Sequence, residues 1–169
     1  TYLQLVDEHQ ITHSQVVPTM FVRMLKLDAD TRSKYDVSSL EYVIHAAAPC
    51  PVPTKKAMIE LFGPVIHEYY AGSEGNGFVY CNSDMWLAHE GTVGTAVTGV
   101  LHICDENFKE VPQGESGTIF FEGGGEFEYH NDPGKTAESR HPTESWSTIG
   151  DVGYVDDAGY LYLTDRKSF

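Results

Sequence analysis

The sequence predicts an α/β plus β chain: a βαβ sheet portion followed by a small antiparallel, β-barrel-like subdomain. Three observations carry this. Between residues 40 and 77 the pattern is strand, small-residue loop, helix, strand, glycine-rich loop, the order of a βαβ unit with a parallel sheet. After about residue 88, short runs of period 2 alternate with glycine-rich and aspartate-rich turns, as in antiparallel sheet. The 169 residues are 41% hydrophobic and 21% charged, a balance that suits a packed core in one domain or two small ones. The expected division is 1–88 for the α/β part and 89–169 for the antiparallel β part.

The elements of the first part follow from local signals. Residues 2–8 read as a helix with no capping residue before Tyr2. Ser14–Val17 is a short strand stopped by Pro18. Thr19 should cap a helix from Met20 to Leu27, with Phe21, Met24 and Leu25 on one face. Residues 28–39 are polar and read as loop, with a helical turn near Thr31–Tyr35. Leu40–His45 is a strand rich in β-formers, running into the tight loop Ala46-Ala-Ala-Pro-Cys-Pro51. A second helix starts at Pro53 or Thr54, passes through Ala57, Met58, Leu61 and Phe62, and ends at Gly63-Pro64. Val65–His67 is the next strand. His9 and His13 have the i, i+4 spacing of helical metal ligands, but Ile11, Thr12, Val16 and Val17 with Pro18 argue against a helix there.

In the second part the expected strands are Gly91–Val97, Val100–Cys104, Gly117–Glu122 and Val152–Val155. Asp156-Asp-Ala-Gly159 turns the last of these into Tyr160–Thr164. Residues 123–147 are polar and loop-rich, with a helical turn near Asn131.

The stretch with the most chemistry is Glu68-Tyr-Tyr-Ala-Gly-Ser-Glu-Gly-Asn-Gly77. Its glycines let backbone approach a ligand closely. Tyr69 and Tyr70 supply flat faces, Ser73 a hydroxyl and Glu74 a carboxylate, a set that suits a nucleotide and its Mg²⁺. A glycine-rich turn beside two core tyrosines is the plainer reading of the same residues. The Ala46–Pro49 and Tyr70–Gly77 loops both leave the carboxyl ends of strands, so both are expected at the ligand crevice of a parallel sheet.

The formal charge of −14 argues against binding nucleic acid through its phosphates, which needs lysine and arginine clusters, and against an anionic membrane surface. ATP stays possible, because local donors and Mg²⁺ can hold it on an acidic protein. Cys50, Cys81 and Cys104 lie far apart. They form no disulfide framework and suit a reducing cytoplasm. No run of 18 apolar residues and no signal-type start is present.

With these motifs in order, the chain resembles the AMP-forming acyl-CoA synthetases of the adenylate-forming superfamily. Val17-Pro-Thr-Met-Phe21 is similar to their "VPT" segment. Ala46-Ala-Ala-Pro49 stands where they carry a "GGAP"-like adenine loop, and Tyr70-Ala-Gly-Ser-Glu74 resembles "YG-x-T/S-E". Ser147-Thr-Ile-Gly-Asp-Val-Gly153, with Asp156–Tyr160 and Asp165-Arg-Lys167, resembles "TGD…DGY…DR". The resemblance implies that Tyr70 stacks on adenine beside the Ala47, Ala48 and Pro49 backbone, within a nucleotide-binding set that also takes in Glu68 and Tyr69. Ser73 would contact phosphate and Glu74 would hold the metal, the two being the candidate catalytic residues. Asp151 would accept from the ribose hydroxyls, and Arg166 would approach ribose or phosphate. Asp165 would be the hinge to a further C-terminal domain. Ala46, Ala47, Gly72 and Gly75, all small, would border the acyl group.

The implied activity is attack of a carboxylic acid on ATP to give acyl-AMP and pyrophosphate, then transfer to CoA. Such chemistry needs positioning and charge neutralisation more than a protein nucleophile. A fatty or ring-bearing acid is expected. The family's phosphate loop and lysine-bearing C-terminal domain are not in these residues, so the chain reads as the central piece of a larger enzyme, inactive alone. Two alternatives stay open: an adenylation domain of a peptide synthetase or another adenylate-former, and a nucleotide-binding domain without catalysis.

Overall fold

The computed structural model describes residues 1–166. The chain forms two compact units. The first comprises Thr1–Tyr69 and Cys81–Gly91, and the second comprises Tyr70–Tyr80 and Thr92 onward. The chain therefore enters the second unit, returns to the first, and leaves it again, where the sequence suggested one boundary at 88/89.

The first unit opens with helix α1, Tyr2–His9. Contrary to expectation it is capped: the Thr1 hydroxyl accepts from Gln4 N, and the Gln4 side chain reaches back to Thr1, a capping box that satisfies donors otherwise left over. Leu3 and Val6 on its inner face are buried. Strand β1, His13–Val16, precedes helix α2, Pro18–Leu25. That helix starts one residue before the expected Thr19 cap. Pro18 fits its first turn, where a missing N–H costs nothing and φ is already helical. A short helix, α3 (Ala29–Arg32), is capped by Asp28, whose Oδ1 accepts from Thr31 N at 2.8 Å.

Strand β2 (Tyr42–His45), helix α4 (Val52–Phe62) and strand β3 (Ile66–Ala71) form the expected βαβ unit. Strands β1 and β2 pair in parallel, as do β2 and β3. Helix α4 stops at Gly63, whose φ of +82° is open to glycine and costly to other residues. Strand β4, Phe78–Asn82, and helix α5, Ser83–Ala88, were not anticipated. Asn82 ends one and caps the other, accepting from Met85 N at 2.8 Å. The core of this unit includes Leu3, Val6, Val16, Phe21, Met24, Val43, Met58, Ile66, Cys81 and Trp86.

In the second unit, the Phe78–Tyr80 part of β4 pairs antiparallel with β5, Thr95–Thr98. The main sheet contains β6 (Val100–Cys104), β7 (Gly117–Glu122), β9 (Asp151–Val155) and β10 (Leu161–Arg166), in the order β10-β9-β7-β6. Each of these neighbours is antiparallel, and the two-residue β8, Trp146–Ser147, pairs on β7. Among the described residues this is the expected antiparallel sheet, open and not closed into a barrel. A short helix, α6 (Pro133–Glu138), is capped by Asp132. Val79, Val93, Ile103, Ile119, Phe121 and Leu161 make the core.

Candidate functional site

The motif residues of the second unit are drawn together by its sheet. Alternation along β3 sends Tyr69 and Tyr70 to opposite faces. The Tyr70 hydroxyl donates to Asp151 Oδ2 at 2.8 Å, and its ring lies 6.3 Å from that of Phe121. Asp151 opens β9 and is 7% exposed. The preceding turn is shaped by Thr148 Oγ1, which accepts from Gly150 N at 3.0 Å, and by Gly150 at φ +84°. On the neighbouring strand, Arg166 is the register partner of Asp151. The Arg166 side chain and Lys167 lie outside the described residues. Asp165 is exposed and follows a register shift in β10, a β-bulge of the sort that re-aims a strand.

The 72–77 loop is fastened from the side. Glu74 Oε1 accepts from the Tyr129 hydroxyl at 2.8 Å. Gly125 N donates to Gly75 O at 2.9 Å. A Cβ on Gly124 would sit 2.0 Å from the Asn76 carbonyl oxygen, so only glycine lets the two backbones meet. Ser73 is exposed. The Asn76 amide is fully buried, and its Nδ2 and Oδ1 have no protein partner. At Gly72, expected at the acyl border, the space that a side chain would fill holds Glu74 Oε2 and Ile149. Gly75, by contrast, faces open space.

In the first unit, Ala46 is buried, whereas Ala47, Ala48 and Pro49 are exposed. Ala47 takes φ +72°, a left-handed conformation that costs an L residue roughly 1–2 kcal/mol. Gln15 Nε2 donates to the Tyr69 hydroxyl at 3.1 Å. Glu68, expected in the nucleotide-binding set, turns its side chain into the interior. The residue is 6% exposed, and its carboxylate is paired with the ammonium of Lys55, itself fully buried. Burial raises the Glu68 carboxyl above its usual range, outweighing the pull of Lys55. The Lys55 ammonium also lies 5.2 Å from the Trp86 ring centre. His45 Nε2 is 3.6 Å from Glu68 Oε2, too far for a hydrogen bond. Burial first, and Lys55 second, push His45 down to about 3, so the ring is neutral. Burial likewise lifts the Cys50 thiol to about 12, leaving it an unreactive thiol. Lys55, Glu68 and His45 are thus interior groups of the first unit.

The described residues contain no cluster of three His, Cys, Asp or Glu that could cage a metal. A lone carboxylate such as Glu74 still fits Mg²⁺ that is held mainly by substrate phosphates and water, since Mg²⁺ commonly takes only one or two protein carboxylates. The sequence did not single out Tyr129 or Lys55. Lys55 stands at a helical position and Tyr129 in a polar loop, with nothing local to mark either partner.

The sequence profile of the AMP-binding enzyme family matches residues 1–128. A medium/long-chain-fatty-acid–CoA ligase of Mycobacterium tuberculosis is 33% identical over 178 residues, covering 97% of this chain and 29% of its own length. A CoA ligase of Rhodococcus jostii, named for a methyl-dioxo-octahydroindenyl-propanoyl group, is 34% identical over 164 residues, covering 95% of this chain and 30% of its own. Among solved structures, an amide bond synthetase from Marinactinospora thermotolerans superposes with a TM-score of 0.83 at 26% identity, over 98% of this chain and 33% of that one. The chain spans about three tenths of the length of the curated relatives it matches.

Proposed function

This chain belongs to the AMP-binding enzyme family, and from that membership we propose that it serves an ATP-dependent acyl-CoA ligase. The observation that carries the reading is the Tyr70–Asp151 hydrogen bond. It joins two motif residues 81 positions apart in one unit, as a shared nucleotide site requires. In this reading Tyr70 offers its ring to adenine, and Asp151 accepts from ribose hydroxyls, a task suited to a carboxylate facing two donors. Ser73, exposed on the loop, contacts phosphate. Glu74 supplies the protein carboxylate for Mg²⁺, which neutralises phosphate charge when bound. Ala47, Ala48, Pro49, Tyr69 and Arg166 keep the nucleotide roles that the family pattern assigns them, and Asp165 that of hinge. Glu68 is left out because its carboxylate is committed to Lys55.

A carboxylate oxygen of the acid attacks the α-phosphorus of ATP and pyrophosphate leaves. The sulfur of CoA then attacks the acyl carbonyl of the acyl-AMP, and AMP leaves. The chain's part is to bind and orient, which is where most of the barrier reduction in such transfers arises. A fatty or ring-bearing acid is favoured by the names of the relatives, and the exposed Gly75, which faces open space, is a candidate for the acyl border. A second reading, transfer of the acyl group to an amine, is favoured by the likeness to the amide bond synthetase.

Carboxylate-dependent ATP–pyrophosphate exchange on the full-length protein, with acids from acetate to long-chain and ring-bearing, tests the first half-reaction. Exchange with one class is the expected result. No exchange with any acid despite ATP binding would overturn it. CoA against amine acceptors then decides the second half.

A further inference from the structure

We propose that Tyr129 and Gly72 form a two-point clamp that aims the carboxylate of Glu74, making both positioning residues for the metal-bound nucleotide; this rests on the metal role proposed for Glu74. One oxygen, Oε1, accepts from the Tyr129 hydroxyl at 2.8 Å. The other, Oε2, lies where a Cβ on Gly72 would come within 2.6 Å of it. A carboxylate with one oxygen tethered and the other against bare backbone has few orientations left. Pre-ordering of that kind lowers the cost of binding a cation, because a rotamer-rich side chain is already fixed.

The tether is itself braced. Tyr129 N donates to Thr136 Oγ1 at 2.9 Å, and the Lys135 ammonium sits 4.3 Å from the Tyr129 ring centre. The Phe127 ring stands edge-on to that of Tyr129, with centroids 5.6 Å apart, and the Arg140 guanidinium lies 4.5 Å over Phe127. These contacts hold the phenol from the side of the 127–140 segment, so the hydroxyl is presented to Glu74 by a fixed frame. Gly72 is a sensitive probe for a different reason. What an added methyl would meet most closely is the far end of a flexible side chain. An alanine there turns the carboxylate aside, while Ile149, 3.1 Å from the added methyl, gives by a few tenths of an ångström.

The test is direct binding, by calorimetry, of ATP to the full-length protein with and without Mn²⁺ as the metal probe. Tyr129→Phe keeps the ring and its cation contact and removes only the hydroxyl. One lost hydrogen bond corresponds to roughly a three- to tenfold change. Tyr129→Phe and Gly72→Ala should each weaken Mn²⁺-dependent ATP binding by about that factor and leave metal-free ATP binding within about twofold. Adding Tyr129→Phe to Glu74→Gln should then cost nothing further. A merely structural role would weaken both kinds of binding together, and that result would overturn the clamp. If Glu74→Gln loses the metal-dependent gain while Tyr129→Phe and Gly72→Ala keep it, the clamp falls and the metal role of Glu74 stands. If Glu74→Gln also keeps it, both fall together.

Discussion

Replacing Lys55 with methionine removes the cation and leaves a stem of similar length in the core of the first unit. Glu68, 6% exposed, then has lost the ammonium that balances it. Breaking a buried pair from one side costs about 3–5 kcal/mol, because an uncompensated charge stays out of water. Glu68 has one escape, which is to take a proton. Its carboxyl is already raised by burial, and Lys55 is what holds it down, so the substitution raises it further. The unfolded chain keeps the ordinary value of about 4.3. A folded-state value above the unfolded one means that the folded state binds the proton more tightly. Stability from this group is therefore full below the ordinary carboxylate value and is lost as pH rises through the raised one. Removing Lys55 also lifts repulsion on a proton at His45, which acts in the same direction.

The variant should thus be mildly destabilised near pH 4 and increasingly so toward neutrality, with a slope of up to about 1.4 kcal/mol per pH unit for one proton. Urea unfolding followed through Trp86, from pH 4 to 8, measures this against the wild type. A second substitution, Glu68→Leu, should recover most of the loss, since replacing a whole buried pair by apolar groups is often near neutral. A cost below about 1 kcal/mol at pH 7, or a pH-independent loss that Glu68→Leu fails to recover, would refute the account of an interior ion pair.

Three further outcomes are expected. Asp151→Ala in the full-length protein should lower kcat/KM for ATP by roughly 2–4 kcal/mol in transition-state terms, as charge-assisted bonds are lost; a wild-type value would remove Asp151 from the site. Ala47→Gly should raise stability by about 0.5–1 kcal/mol, because relief of the left-handed backbone at φ +72° outweighs the extra freedom of glycine in the unfolded chain; a loss in thermal melting would contradict that. His45, held neutral down to about 3, is depressed in the folded state, so the unfolded chain takes its proton first and stability falls as pH drops from about 6.5. His45→Leu should flatten the acid limb of the stability curve between pH 6.5 and 4, and parallel curves would show that the ring does not contribute.

How much of this was legible depended on whether the signal was local. Strands β6 and β7 were read with their observed limits, because Val100-Leu-His-Ile-Cys104 and Gly117-Thr-Ile-Phe-Phe-Glu122 carry β-formers between turn residues. Strand β4 and helix α5 were passed over. Their junction at Asn82-Ser-Asp carries a capping signal, but Gly72, Gly75 and Gly77 just before it carry the stronger signal of a loop. Tyr70 stood out in the glycine-rich stretch as a flat face for a nucleotide and Asp151 through family resemblance, but their hydrogen bond is a tertiary fact that no window of sequence contains. The pairing of Glu68 was hidden for a similar reason. The residue stands beside the motif, yet strand alternation turns it inward to a lysine 13 residues upstream. Tyr129 was missed because its partner Glu74 is 55 residues away.

The return of the chain to the first unit at Cys81 bears on how this sequence can be recombined with that of a relative. A single crossover near residue 88 would inherit Tyr70, Glu74 and Asn76 from one parent, and Tyr129, Gly124 and Asp151 from the other. Each hydrogen bond or backbone contact between those sets would then have to be re-established between strangers. Two crossovers, before Tyr70 and after Tyr80, with a third near Thr92, would move these partners as one inheritance. Chimeras of this chain with a relative should keep that triple boundary if the Tyr70–Asp151 and Tyr129–Glu74 hydrogen bonds are to survive the exchange.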